Sequence, residues 1–178
     1  MCLAYTAYLC SWWGLLTWLP QYLVEARHFD LQGTSGNVAL AYIISGVGIL
    51  AGGRLVDKSS HKSMIAIIAL LVVALSTLGV TLVPSAFLAV IFMILAVGVN
   101  EFVYPAIWSI LQILFPDKMI AAASGILSGV SNLLSALSPV IMGWLIQISG
   151  SYALGLLFLV LMSMLGAISC MLLYRKGY

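Results

Sequence analysis

Charge is what this sequence has least of. Asp, Glu, Lys and Arg together make up 7% of its 178 residues, against about 25% in an ordinary soluble domain. That scarcity excludes a soluble enzyme, a nucleic-acid binder and a disordered chain, each of which needs more charge to stay dissolved or to hold its partner. Cysteine is scarce and scattered. Cys2, Cys10 and Cys170 lie in apolar stretches, with no C-x-x-C pair and no Cys/His cluster, so neither a disulfide framework nor a metal site follows. The two histidines, His28 and His61, fall in polar loops. There is no H-E-x-x-H pattern, and Gly125, Ser128 and Gly129 lack the spacing of a nucleophile elbow. With no base near a serine, an intramembrane enzyme is not expected, and no cofactor is.

Hydrophobicity is what the sequence has in excess, at 63% of residues and a mean hydropathy of +1.18. Its solvent is lipid. A spanning helix needs about 20 mostly apolar residues. Six such segments are read at 1–24, 37–56, 63–83, 86–114, 119–147 and 151–174. A membrane barrel would show shorter, alternating runs. The expected fold is an all-α integral membrane protein, a single six-helix transmembrane domain over 1–178. The longest loop is read at 25–36, with Gly33, Ser35 and Gly36 as breakers, and Pro84, Pro116 and Gly150 mark later boundaries. Arg54, Lys58, Lys62, Lys118, Arg175 and Lys176 fall on one side of the membrane and Arg27 alone on the other, which predicts cytoplasmic termini. The first segment is too long for a signal peptide and lacks its basic start. It begins at residue 1 without flanking charge, which suggests a chain cut from a longer one.

Every charged residue but one falls in a loop or at a helix end. The exception is Glu101, near the centre of the fourth segment. A carboxylate at that depth is expensive, and its default reading is a functional group facing the bundle interior or a water-filled cavity. Glu101 is the candidate proton carrier. The plain alternative is a permanently protonated acid bonded to a neighbouring helix. Tyr104 and Trp108 share its helical side, and Asn100 and Gln112 lie close to it. Pro105 frees the carbonyl of Glu101 and can bend the helix beside the acid.

On the first helix Thr6, Trp13, Thr17 and Gln21 line one face, with Tyr5, Tyr8 and Trp12 beside it. Convergent polar groups mark a pocket, so these residues, with Asn100, Tyr104 and Trp108, are the candidate substrate cavity; interhelical packing explains the aromatics equally well. Trp12 and Trp13 sit away from the interfacial belt, so their N–H groups are expected to be buried. Two helices carry small-residue faces: Gly48 and Gly52 on the second, and Gly125, Gly129, Asn132, Pro139 and Gly143 on the fifth. Such faces let backbones approach and suggest surfaces that slide on each other. After the second helix comes Gly53, Arg54, Asp57, Lys58, His61 and Lys62. Asp57 sits at a helix C-terminus, the wrong end for a negative charge, and needs a compensating partner.

This loop resembles the cytoplasmic pattern G-x-x-x-D-[RK]-x-G-R-[RK] of the major facilitator superfamily of secondary transporters. Gly53, Asp57, Lys58 and Lys62 fit it; Ser60 and His61 depart from it. Tyr104 and Pro105 through Gly125, Asn132, Pro139 and Gly143 to Tyr152 look like the last three helices of such carriers, and Trp18 to Leu23 resembles the opening of the second half in carriers of organic anions. The resemblance implies twelve helices in two six-helix halves, with this chain as the C-terminal half. It implies that the first and fourth helices line the cavity and that Asp57 closes a cytoplasmic gate by meeting the fifth helix near Met119. It implies proton-coupled alternating access for a small organic anion in the plasma (inner) membrane. The partner is then a missing N-terminal half, which would supply any cavity cation, or a second copy of this chain. A non-transporting scaffold or inactive remnant is the remaining reading.

Overall fold

The computed structural model describes residues 1–177, all but the side chain of Leu31. It is helical throughout. The order is α1 (Cys2–Gln21), a π-helical turn (Tyr22–Ala26), α2 (Leu31–Lys58), α3 (Lys62–Leu82), α4 (Ala86–Asn100), α5 (Val103–Leu114), α6 (Asp117–Ser135), α7 (Ser138–Ser149) and α8 (Tyr152–Tyr174). Among the described residues five spans are long and apolar enough to cross a membrane: α2, α3, α4 with α5, α6 with α7, and α8. Helix α1 has 20 residues, a spanning length, but Tyr5, Tyr8, Trp12, Trp13 and Trp18 make it less apolar. Its position accounts for that composition. It runs through the middle of the bundle, packs on α4, α5, α6, α7 and α8, and buries residues on nearly every side.

Three boundaries depart from the sequence reading. Helix α2 begins at Leu31, not at 37, because Asp30 caps it by accepting from the Gly33 N–H at 2.8 Å. Gly33, Ser35 and Gly36 are therefore helical rather than breakers. The fourth expected segment divides at Glu101–Phe102. The Phe102 N–H turns back to the Val99 carbonyl at 3.1 Å, and Pro105 has no N–H to continue the ladder from Glu101. The fifth divides at Ala136–Leu137, with Leu137 N–H to Leu134 carbonyl at 3.3 Å ahead of Pro139.

The buried core falls into two apolar clusters. One gathers Tyr5, Leu70, Ile107 and Leu127; the other gathers Leu15, Leu19, Met93 and Leu159. A polar layer around residues 8–11 of α1 separates them. There Asn100 donates to the Tyr8 carbonyl at 3.2 Å, Ser138 to the Cys10 carbonyl at 2.8 Å, and Ser11 shares a 2.9 Å hydrogen bond with Ser163. Both broken helices are thus fastened to α1 beside their breaks. The outer faces are apolar and exposed, as lipid requires. Coverage is uneven: within the chain α2 and the α6–α7 span bury 17% of their most apolar stretch, against 50% for α4–α5.

Candidate functional site

Glu101 caps α4 at the break and is 3% exposed. Its carboxyl group is held from two other helices. The Tyr8 hydroxyl on α1 donates to Oε2 at 3.0 Å, and the Ser45 hydroxyl on α2 donates to Oε1 at 2.7 Å. Ser45 reaches the acid because α2 comes unusually close. A Cβ added at Gly48 would run into the Gly98 carbonyl oxygen, and one at Gly52 would stand 2.8 Å from the Phe102 Cα. No larger residue fits either position without moving α2 away from the break.

Around the acid stands an aromatic cluster. Tyr5 stacks on Tyr8 at 5.7 Å, and Trp108 meets Tyr5 edge-on at 5.9 Å. Tyr104 lies 6.2 Å from Tyr8 and 5.9 Å from Trp108. Asn100, fully buried, spends its amide N–H on the Tyr8 carbonyl; its Oδ1 has no protein partner among the described residues. The structure therefore brings Glu101, Asn100, Tyr104 and Trp108 together, and adds Tyr8 and Ser45, which sequence reasoning did not single out as ligands of the acid. Glu101 in a run of apolar residues is a local signal. Its two donors, 93 and 56 residues away, leave none.

The remaining cavity candidates part company. Thr6 is buried, and its hydroxyl lacks a protein partner among the described residues. Trp13, Thr17 and Gln21 line the open face of α1 instead. Trp13 is 42% exposed and packs edge-on against Trp12 at 4.9 Å, so the expectation of a buried Trp13 indole is corrected. Helix α1 is covered by other helices on its remaining sides, which leaves this face to point out of the chain.

The glycine faces also separate. Gly48 and Gly52 pack inside the chain. Gly143 takes the Trp18 ring, 2.7 Å from where its Cβ would stand, and the Trp18 indole N–H donates to the Pro139 carbonyl at 3.1 Å. A Cβ at Gly125 or Gly129 would meet nothing within 4 Å, and Asn132 is exposed, donating to the Ser128 carbonyl of its own helix. That part of the α6 face is not packed in this chain.

At the basic end, Lys62 caps α2 by donating to the Val56 carbonyl at 3.1 Å and the Ser59 carbonyl at 3.4 Å. Lys58 is exposed, and Gly53 has open space over its Cα. The expected contact of Asp57 with the start of α6 near Met119 is not formed. Asp57 is exposed and makes no hydrogen bond or ion pair among the described residues. Helix α6 packs chiefly on α1 and α2 chiefly on α4 and α5, and no extended α2–α6 packing forms among the described residues.

The opposite end is tied by groups the sequence reading did not assign. Arg27 donates to the Tyr22 hydroxyl at 2.6 Å and to the carbonyls of Val80, Val83 and Pro84, a cation at the C-terminus of α3. Glu25 accepts from the Tyr152 hydroxyl at 2.6 Å and from the Gln21 amide at 2.8 Å. These donors, Tyr152 foremost, hold its carboxyl below the usual carboxylate range.

The profile of the Major Facilitator Superfamily matches residues 1–177. A "Probable sulfoacetate transporter" of Cupriavidus necator is 34% identical over 152 residues, covering 81% of this chain and 35% of that protein. A "Probable L-galactonate transporter" of Escherichia coli is 26% identical over 172 residues, 92% of this chain and 38% of that protein. A "Probable galactarate/D-glucarate transporter" of Bacillus subtilis is 26% identical over 150 residues, 80% of this chain and 33% of that protein. The chain spans between 33% and 39% of the length of the curated relatives it matches. Apolar helices sized for a bilayer, one of them broken beside a buried carboxyl group, and a profile match over nearly every residue give one conclusion: the chain belongs to the Major Facilitator Superfamily.

Proposed function

We propose that this chain is the C-terminal six-helix half of a secondary transporter that moves a small organic anion by proton-coupled alternating access, with Glu101 as the proton carrier. The observation that carries this reading is the grip on Glu101 from two other helices at once. An ionised carboxylate accepts from both hydroxyls. A proton on either oxygen makes that oxygen a donor and a weaker acceptor, so the hydroxyl facing it is held less tightly or rotates to accept. Protonation is thereby coupled to the spacing of α1, α2 and the α4–α5 break. A ligand shifts a two-state equilibrium only through its differential affinity for the two states. Here the proton supplies that difference.

The transport names of the relatives, sulfoacetate, L-galactonate and galactarate or glucarate, support an organic anion as the solute. The open face of α1 with Trp13, Thr17 and Gln21 is its wall in this chain, and the counter-cation comes from the other half. The open Gly125–Gly129 face of α6 favours docking of that half; a second copy of this chain is the alternative partner. The transporter resides in the plasma (inner) membrane with Asp57 on the cytoplasmic side.

The test is uptake of labelled L-galactonate by cells expressing the transporter at its native length. Glu101→Gln is expected to abolish gradient-driven accumulation while solute exchange without a gradient persists. Parent-like accumulation with the parent's pH dependence would overturn the coupling role.

A further inference from the structure

Glu25 stands between two hollows at the end of the bundle opposite Arg54 and Lys62. One, of about 430 Å³, lies toward Arg27, Thr81 and Tyr152. The other, of about 620 Å³, opens between the last turn of α1 and the first turns of α2 and is lined by Gln21, Glu25 and Thr34 with Pro20, Val24 and Val38. Its size suits a small solute. The early start of α2 creates it. The Asp30 cap makes residue 34 helical and turns Thr34 inward, where it is 5% exposed. The Thr34 hydroxyl has no protein partner among the described residues. A buried hydroxyl is costly unless something bonds it.

The rest of the lining supplies complementary chemistry. Tyr152 and Gln21 each take one lone pair of the Glu25 carboxylate and fix its plane, which leaves further acceptor sites on both oxygens. The Gln21 side-chain oxygen is a second acceptor, and Thr34 offers both a donor and an acceptor. A fixed carboxylate, an amide and a hydroxyl around one cleft match neighbouring hydroxyl groups on a carbon chain. They do not match an anionic head, which Glu25 repels. Thr17 lies one turn from Gln21 on the same open face of α1, which runs on from the cleft toward the middle of that helix.

We infer that this cleft is a second solute site, which binds the hydroxylated tail of a polyhydroxy acid while the acid group points along α1 toward the bundle centre. This deepens the proposed transport function and rests on it. The site selects sugar acids over anions without hydroxyls, because a site built to hydrogen-bond hydroxyls leaves its own buried groups unpaired when they are missing.

The experiment compares KM for uptake of L-galactonate and of sulfoacetate, which has no hydroxyl, by the transporter at its native length. Thr34→Val removes the hydroxyl at nearly constant shape, and Thr34→Ser restores it. Thr34→Val is expected to raise KM for L-galactonate roughly 3- to 10-fold and to leave sulfoacetate unchanged, with Thr34→Ser like the parent. Glu25→Gln, which weakens a charged acceptor, is expected to shift the two solutes apart in the same direction. Equal effects of Thr34→Val on both solutes, or no effect on either, would overturn the site while leaving transport standing. A parent that moves neither anion would overturn the transport reading and the site with it.

Discussion

Helices α2 and α6 carry the same kind of sequence, glycines four apart on one face, and their spans are equally uncovered within the chain. Yet Gly48 and Gly52 press against the α4–α5 break, while Gly125 and Gly129 face open space. Small-residue spacing states that some backbone comes near; it does not state which. On α2 the close approach is already used, and its product is the Ser45 hydrogen bond to Glu101. On α6 no close approach is made at Gly125 or Gly129 among the described residues. One glycine pair builds the site from within, and the other lies open.

Substitution separates the two most sharply. Gly48→Ala drives a methyl into the Gly98 carbonyl, backbone that cannot rotate away, and is expected to destabilise the chain by about 1–3 kcal/mol in detergent unfolding. Gly125→Ala is expected to leave stability within about 0.5 kcal/mol, or to raise it slightly through helix propensity. A comparable loss at both positions would mean that α6 also packs inside the chain and would remove the contrast.

The fold was largely legible. Long apolar runs located the five apolar spans, and Pro105 pointed to the break beside Glu101. The start of α2 was misread because Gly33 and Gly36 resemble a loop, although Asp30, the cap that overrides them, stood in the sequence. The break before Pro139 was passed over because that proline was assigned to packing. Of the site, the acid and its own-helix neighbours Asn100, Tyr104 and Trp108 could be read, since helical periodicity places them. Tyr8 and Ser45 could not be assigned to the acid, and neither could Tyr152 to Glu25 across 127 residues, because interhelical partners depend on crossing geometry that no local pattern encodes. Asp57 was expected at α6 by resemblance alone, and α2 and α6 do not pack extensively on each other among the described residues, which leaves it unpaired there.

A smaller effect sharpens the inner half of the comparison. Tyr8→Phe keeps the ring in its aromatic cluster and removes only the donor to Oε2. The expected loss is about 0.5–2 kcal/mol, since hydrogen bonds between membrane helices contribute modestly. Combined with Gly48→Ala, which already pulls Ser45 from the acid, the loss should be less than additive, because both changes act on one carboxyl group. Full additivity would mean that Ser45 and Tyr8 hold Glu101 independently and that α2 is not positioned by it.

The smallest effect belongs to the other carboxylate. Glu25 is exposed, and its hydrogen bonds from Tyr152 and Gln21 favour the charged form, so its folded-state value lies below the usual 4.5. A depressed carboxylate contributes stability that is fully present above its unfolded value and is lost as pH falls through its folded one. The difference in thermal midpoint between parent and Glu25→Gln should therefore be constant from neutral pH down to about 5 and shrink below the usual carboxylate range. The Tyr152 hydroxyl can still donate to a protonated carboxyl or to an amide, so the two proteins converge at low pH rather than cross. A difference that grows on acidification would mean that the protonated form of Glu25 is the one the fold prefers. The end of the bundle would then be held by Arg27 on the α3 carbonyls alone, with Glu25 a spectator beside it.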